Sequence, residues 1–324
     1  MITIWAPDGV GDVGEGDDLA AHLLAVTHDG ADLADGDVVC VTSKVVSKAE
    51  GRAVAVDRAE AVARETRRLV ARRGSLSIVV NRLGLTMAAA GVDASNVAPG
   101  RVLLLPDDPD RTARGLRLEI GQRAGVDVAV VVSDTAGRAW REGQTDIAIG
   151  AAGLRVLDDH VGRVDPYGNV LAVTAPAVAD ELAGAAELAA GKLGRRPFVV
   201  VRGRGDLVLA RGDDGPGAAA LLRPEAADLF GLGARDAVVA ALRGSVQDRA
   251  AYGAPAEATD LRDLLAALTG AEVSHDGERL VVSGRDPRAR WVAEVAAYAH
   301  GWTTRVVDDL TLRVVPSPPP SAGG

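Results

Sequence analysis

Apolar residues along the chain gather into short β-branched runs, separated by longer stretches with helical spacing. Val38–Thr42, Leu76–Val80, Val102–Leu105, Val128–Ser133, Val170–Thr174 and Phe198–Val201 have the length and composition of buried strands. Between them, Asp57 is placed to cap a helix with Glu60 as its third residue. That helix carries Val62, Leu69 and Val70 inward and stops at Gly74. Its other face holds Arg64, Arg67, Arg68 and Arg72, read as a solvated side. Asp17 is placed to cap a helix over Leu19–Val26. A further helix runs from Pro176 to Lys192, with Thr174 as its cap and Asp180 and Glu181 near its positive end. Val178, Leu182, Ala185 and Ala189 give that helix a narrow stripe of small side chains for close packing. Strands alternating with helices of this length predict an α/β fold.

The texture changes after Arg223. A helical stretch over Pro224–Arg243 leads to a Gly- and Pro-containing connector at Tyr252–Thr259. Beyond it come a helix at 260–268, strands at 271–274 and 279–283, a helix at 287–300, and strands at 303–307 and 310–315. The expected organisation is a main domain over 1–245, a small C-terminal α/β appendage over 252–315, and a disordered Pro/Ser/Gly-rich tail over 316–324. No repeat of fixed period is apparent.

Composition narrows the function classes. The 324 residues include 36 Lys+Arg and 45 Asp+Glu, a formal net charge of −9, and only 3 % aromatic residues against 48 % apolar ones. The core must therefore be built from Ala, Val and Leu. One cysteine, Cys40, excludes an internal disulfide framework and fits a reducing, cytoplasmic setting. The first residues turn acidic at once and lack a basic n-region, so no signal peptide is expected. Apolar runs such as Val128–Val132 fall far short of the roughly 18 residues needed to cross a bilayer, so no membrane partner is expected. An acidic chain poor in aromatics also lacks the charge and the stacking platforms for nucleic acid.

Several segments could carry chemistry. Gly9, Gly11 and Gly14 spell a dinucleotide fingerprint, but Asp8, Asp12, Glu15, Asp17 and Asp18 crowd the same turn and would repel a pyrophosphate. Gly184 and Gly191-Lys192 have the wrong spacing for a phosphate loop, and Leu193 replaces its hydroxyl residue. Ser43-Lys44 and Ser47-Lys48 follow a buried strand, where open α/β sheets place their ligands. These lysines are either phosphate contacts or ordinary surface charges. Ser133-Asp134-Thr135 ends another strand, and a carboxylate beside a hydroxyl there suits a hard, oxygen-seeking cation. Asp93, Asp146 and the Asp213-Asp214 pair are further acids that folding could bring to it. Asp213-Asp214-Gly215-Pro216-Gly217 precedes a helical run, as either a phosphate cradle or a plain surface turn. The five histidines are scattered without zinc-binding spacing.

Taken together, the chain resembles the coenzyme F420-0:L-glutamate ligase family over about residues 1–242. The matching segments are GDDLA at 16–20, VTSKVVSKAEGR at 41–52, GLTMAAAGVDASNV at 84–97 and LPDDPDRTARGLR at 105–117. They continue with VVSDTAGRAWREGQTDIAIGAAG at 131–153 and GRVDPYGNVLAVTAPAVADELAGAAELAAGK at 162–192. The resemblance implies a two-lobed α/β fold, a homodimer, GTP as co-substrate, and a divalent metal, Mg²⁺ or Mn²⁺. It places GTP contacts on Val10, Gly11, Asp12, Val13, Ser43, Lys44, Lys48 and Asn96, with a later nucleotide-and-metal loop near Asp213–Leu221 that includes Gly215 and Gly217. The implied metal ligands are Asp93, Asp134 and Thr135, with Asp214 from the later loop.

Two segments depart from the family pattern. Val10-Gly11-Asp12 stands where Leu-Pro-Glu is usual, and Pro216-Gly217 where Gly-Thr or Ser-Thr is common. Longer members carry a fused flavin-binding domain that Phe230–Ala250 resembles at its entrance, but too little chain remains for one, so no flavin is expected. The implied reaction is GTP-driven ligation of L-glutamate to coenzyme F420-0 through an acyl phosphate, with no protein nucleophile. A ligase of the same fold acting on another carboxylate and amine, or a non-catalytic nucleotide- or cofactor-binding protein, is the alternative.

Overall fold

The computed structural model describes residues 1–27 and 33–317. They form an α/β protein that divides into two compact units, one of Met1–Arg68 and Val79–Leu222, the other of Leu69–Ile78 and the chain from Arg223 onward.

The first unit is organised on a five-stranded sheet. Its strands are β1 (Thr3–Trp5), β2 (Val38–Thr42), β8 (Ala129–Arg138), β9 (Arg141–Ala152) and β10 (Phe198–Arg202), in the order β1-β10-β2-β8-β9. Only β2 and β8 pair in parallel; the other neighbours are antiparallel. The period-2 alternation of a strand explains how so few aromatics suffice. Val39 and Val41 of β2, with Val130 and Val132 of β8, point into one core beneath α1 (Leu19–Thr27), α2 (Ser43–Ala49) and α4 (Pro109–Ala124). Val38, Cys40, Ala129 and Val131 point to the opposite face, into a second core with α5 (Val178–Ala190). Helices on both faces bury the central strands completely, which is why those strands read as continuous apolar runs. Smaller elements follow: β3 (Ala53–Val54) pairs with β7 (Val102–Leu103), α3 (Arg58–Glu65) lies between them in the chain, and β4 (Thr66–Arg73), β5 (Leu76–Asn81) and β6 (Thr86–Ala88) form a three-stranded sheet, of which Leu69–Ile78 groups with the second unit.

In the second unit, α6 (Ala234–Arg243) precedes α7 (Ala258–Thr269), β11 (Glu272–Asp276), β12 (Arg279–Ser283), α8 (Pro287–Ala299), β13 (Trp302–Val306) and β14 (Thr311–Pro316). The strands form one antiparallel sheet in the order β11-β12-β14-β13. Leu261, Leu265, Leu280, Val282, Ala293, Ala297, Trp302, Leu312 and Val314 make its core. The α-β-β-α-β-β order expected from the sequence is present.

Several local expectations are corrected. The helix capped by Asp57 ends at Glu65, and Thr66–Arg73 is a strand. Leu69 and Val70 therefore lie on β4, because the chain returns through Gly74 to pair with β5. Val170–Thr174 is not a strand; Val170 makes a single bridge to Val164 and is 66 % exposed. With no neighbouring strand to pair with, its apolar pattern has nothing to build on. α5 starts after Ala177 without a side-chain cap, and its buried stripe runs through Val178, Ala179, Leu182, Ala183 and Ala186 rather than Ala185 and Ala189. Asp18, not Asp17, accepts the Ala21 N–H at the start of α1; Asp17 instead accepts from Gly14. Pro224–Arg243 is broken by turns and becomes a regular helix only from Ala234. Pro316 is the last residue of β14, and Ser317 is buried against Arg249 and Thr303, so these two residues are ordered rather than part of a disordered tail. The remainder of that tail, 318–324, lies outside the described residues. Among the described residues no helix is long and apolar enough to cross a membrane.

Candidate active site

The parallel register of β2 and β8 sets the geometry. Val38 aligns with Ala129 and Thr42 with Ser133, so both strands reach the same sheet edge together. One residue further, Ser43 opens α2 and its Oγ donates to Asp134 Oδ1 at 2.7 Å. The next residue, Lys44, sets its Nζ 2.5 Å from Asp93 Oδ2. Asp93 is fixed from behind by a bridge to Leu103, and it accepts from the Ser95 N–H and Oγ, both at 2.7 Å. Three sequence-distant candidates, Asp93, Asp134 and the Ser43-Lys44 pair, are thus brought to one place by short polar contacts.

The β8–β9 hairpin extends this cluster. Thr135 lies opposite Asp146 and donates to its Oδ1 at 2.7 Å, while Ser133 Oγ reaches Oδ2 at 3.3 Å. Lys192 Nζ donates to Thr135 Oγ1 at 2.5 Å and lies 3.9 Å from Asp146 and 3.5 Å from Glu187. The sequence around Lys192 fails as a phosphate loop and so gives no signal for this residue; the end of α5 delivers it to the hairpin all the same.

Charge is balanced unevenly. Burial pushes the Asp134 carboxyl up to about 6, with the Asp146 charge adding to the rise, against the lowering effects of Ser43 and Lys44. Burial also raises Asp93, but the hydrogen bonds from Lys44 and Ser95 outweigh it and hold that group below its ordinary value. Lys48, one helical turn after Lys44, is half-buried and has no ion partner among the described residues. A lysine left uncompensated one turn from Lys44, on the helix that also presents Ser43 to Asp134, suits an arriving anion.

The other expected residues are more dispersed. Asn96 is exposed, in a left-handed conformation, and its amide donates to Ser95 Oγ at 3.4 Å, next to Asp93. Val10 and Val13 pack on the same core as α2, Gly11 is exposed, and Asp12 is exposed and paired with Arg195 at 2.5 Å.

The Asp213–Leu221 loop lies elsewhere. Buried Arg117 holds it, donating to the Asp213 carbonyl at 2.7 Å and to Asp214 Oδ1 at 3.2 Å, and its Nε donates to the Val128 carbonyl at 2.9 Å. Val128 precedes β8 and Asp134 lies midway along it, six residues or roughly 20 Å further along the strand. Asp213, Asp214 and Gly215 are therefore not brought to Asp134 within this chain. Asp110 takes the Ala218 and Ala219 N–H groups at 2.7 and 3.2 Å, and Gly217 lies where a Cβ would meet that carboxylate at 2.5 Å.

Among the described residues, no three His, Cys, Asp or Glu side chains are grouped to hold a metal by themselves. The donors near Asp134 are nonetheless all oxygen, from carboxylates and hydroxyls. That is the kind of set Mg²⁺ uses when substrate phosphates and water supply its remaining ligands. Cys40 is buried within β2 with its thiol pushed up to about 12 by burial, the opposite of what an activated thiolate requires.

A family model described as F420-0:gamma-glutamyl ligase matches residues 9–64 and 56–203. The chain belongs to this family. As an F420-0:gamma-glutamyl ligase family member it is an enzyme that forms amide bonds. It is 39 % identical over 236 residues to the coenzyme F420:L-glutamate ligase of Methanopyrus kandleri, covering 66 % of this chain and 92 % of that protein. It is 36 % identical over 253 residues to the protein of the same name from Methanothermobacter thermautotrophicus, covering 71 % and 98 % respectively. With the Natronomonas pharaonis protein of that name the identity is 42 % over 224 residues, covering 61 % and 84 %. The F420-0:gamma-glutamyl ligase match contains Ser43, Lys44, Lys48, Asp93, Asn96, Asp134 and Thr135, whereas the Asp213-Asp214 loop lies beyond its end.

Proposed function

We propose that the chain joins L-glutamate to coenzyme F420-0 at the expense of GTP, as a cytoplasmic homodimer using Mg²⁺ or Mn²⁺. The observation that supports this most is the convergence of Ser43, Lys44, Asp93, Asp134 and Thr135 at one edge of the β2–β8 pair, within the span that matches the family. In the first step a carboxylate oxygen of F420-0 attacks the γ-phosphorus of GTP. The bond from that phosphorus to the bridging oxygen breaks, and GDP leaves with the electron pair. In the second step the amine of L-glutamate attacks the acyl carbon, inorganic phosphate departs, and the amine proton passes to solvent.

Such a reaction is governed by positioning and charge neutralisation. Lys44 and Lys48, spaced one turn apart on α2, set two positive charges beside the phosphates, with Lys44 exchanging Asp93 for phosphate oxygens. Ser43, Asn96 and the segment Val10–Val13 frame the nucleotide. Asp134, Thr135 and Asp93 would hold the divalent cation, which when bound offsets charge on the phosphates. Lys192 and Asp146 keep Thr135 oriented.

Incubation with F420-0, GTP, L-glutamate and either metal should yield a product heavier by one glutamyl residue, with one GDP per product by mass spectrometry and chromatography. Absence of both product and GDP would overturn the reading. A second reading, a ligase of the same fold for another carboxylate and amine, is favoured by Asp12 standing in the first nucleotide segment and pairing with Arg195. GDP release only with a different substrate pair would select it.

A further inference from the structure

Within the second unit, α6 and the tip of the β4–β5 hairpin enclose an open cleft of about 560 Å³. Its walls carry Arg72 from β4 and Arg235 and Arg243 from α6, over an apolar floor of Leu69 and Val239. None of the three guanidinium groups has an ion pair or hydrogen bond among the described residues. Asp236 is the one acid lining the cleft, and it approaches none of the three within 4.0 Å. The lining therefore carries a formal surplus of two positive charges, three arginines against one aspartate.

The backbone frame of the cleft is fixed, and the exposed Arg72, Arg235 and Arg243 side chains stand on it. The Gly233 N–H at the start of α6 donates to the Val70 carbonyl of β4 at 2.7 Å. A Cβ on Gly233 would meet the Ala71 Cβ at 2.6 Å, so glycine permits the close approach. Arg235, Val239 and Arg243 recur every four residues, placing them along one side of α6. Arg235 also lies in the first turn, at the positive end of the helix dipole, where a cation is unfavourable unless an anion sits nearby.

The geometry points to a second anion site, separate from the Lys44–Asp134 cluster, for a small molecule bearing at least two phosphate or carboxylate groups. Guanidinium forks suit both chemistries, because each presents paired donors to two oxygens of one group. The floor of Leu69 and Val239 leaves room for a short apolar segment between the anionic ends.

Isothermal titration of the full chain, in a Lys44→Ala/Lys48→Ala background, tests this with two probes at low salt. Pyrophosphate represents the phosphate source, and tricarballylate the carboxylate source. Saturable one-to-one binding of either probe is expected, weakened at least tenfold in Arg235→Gln/Arg243→Gln and, separately, in Arg72→Gln, and weakened by added salt. The probe that binds more tightly identifies the source. Melting temperatures of the variants should match the parent, and in the otherwise unaltered chain the same substitutions should leave ligase activity unchanged. No saturable heat with either probe, or unchanged affinity in both arginine variants, would overturn the proposal.

Discussion

At the residue scale, Asp134 shows how a site works against the stability of its fold. Burial holds its carboxyl at about 6, against 3.8 for the free group. Between those values the folded chain keeps a proton that the unfolded chain releases, so stability falls as pH rises through this window and the cost persists at neutral pH. Asp134→Asn removes the cost and keeps a partner for Ser43, while removing the charge that the proposed reaction would use. At pH 7.5 this variant is expected to be more stable by up to about 3 kcal/mol, with a flatter pH dependence between 4 and 6 in urea titrations and no ligation. A variant less stable than the parent at pH 7.5 would contradict it. The same carboxyl must lose its proton to bind a cation, so Mn²⁺ affinity measured by electron paramagnetic resonance should rise steeply from pH 5 to 7 in the parent and not in Asp134→Asn. The sequence exposed this residue because it ends an apolar strand beside a hydroxyl. It hid Lys192, whose partners Thr135 and Asp146 come from a different hairpin.

Elements were legible where burial was complete and ambiguous where it was partial. β2, the first half of β8 and β10 stand out because both faces are covered there, leaving few polar positions to blur the run. β4 reads as a continuing helix because Thr66–Arg73 offers apolar residues at a spacing that suits either state, and only pairing with β5 decides it. β9 left no clear signal, since half of Arg141–Ala152 is polar and half is small. Its small residues have a purpose: a Cβ at Gly150 would collide with the Pro109 backbone at the start of α4. Glycine thus lets the helix lie directly on the strand, where Asp110 accepts the Ala151 N–H at 2.7 Å. Gly150→Ala is expected to cost about 2–3 kcal/mol by forcing backbone apart, read as a lower denaturation midpoint. Gly137→Ala, on the same hairpin with nothing within 4 Å of its Cβ, should change stability little and serves as control. Equal midpoints for the two variants would sink the close-packing account.

At the scale of the whole molecule, linear sequence and compact unit diverge. Composition draws a division near residue 245, yet the grouping of contacts begins at Arg223 and takes Leu69–Ile78 with it. Neither unit is therefore one unbroken piece of chain. The same non-linearity explains why the Asp213-Asp214 loop, legible as chemistry, is fastened by Arg117 beside Val128, just before β8 and six residues from Asp134. It also gives the C-terminal unit a structural role, because Val70 on β4 is buried and the start of α6 is bonded to it through Gly233. A chain ended after Leu222 keeps every residue of the Lys44–Asp134 cluster but uncovers that strand. Losing the burial of one valine and its neighbouring hydrogen bond removes about 2 kcal/mol, which for a domain of this size lowers the melting temperature by about 4–8 °C. Replacing 69–78 by a short Gly-Ser turn in the same truncated chain should recover part of that loss, because the uncovered strand is then gone. Calorimetry of the three proteins decides the matter. Identical melting for full and truncated chains would show that the hairpin tip does not depend on the chain beyond Arg223.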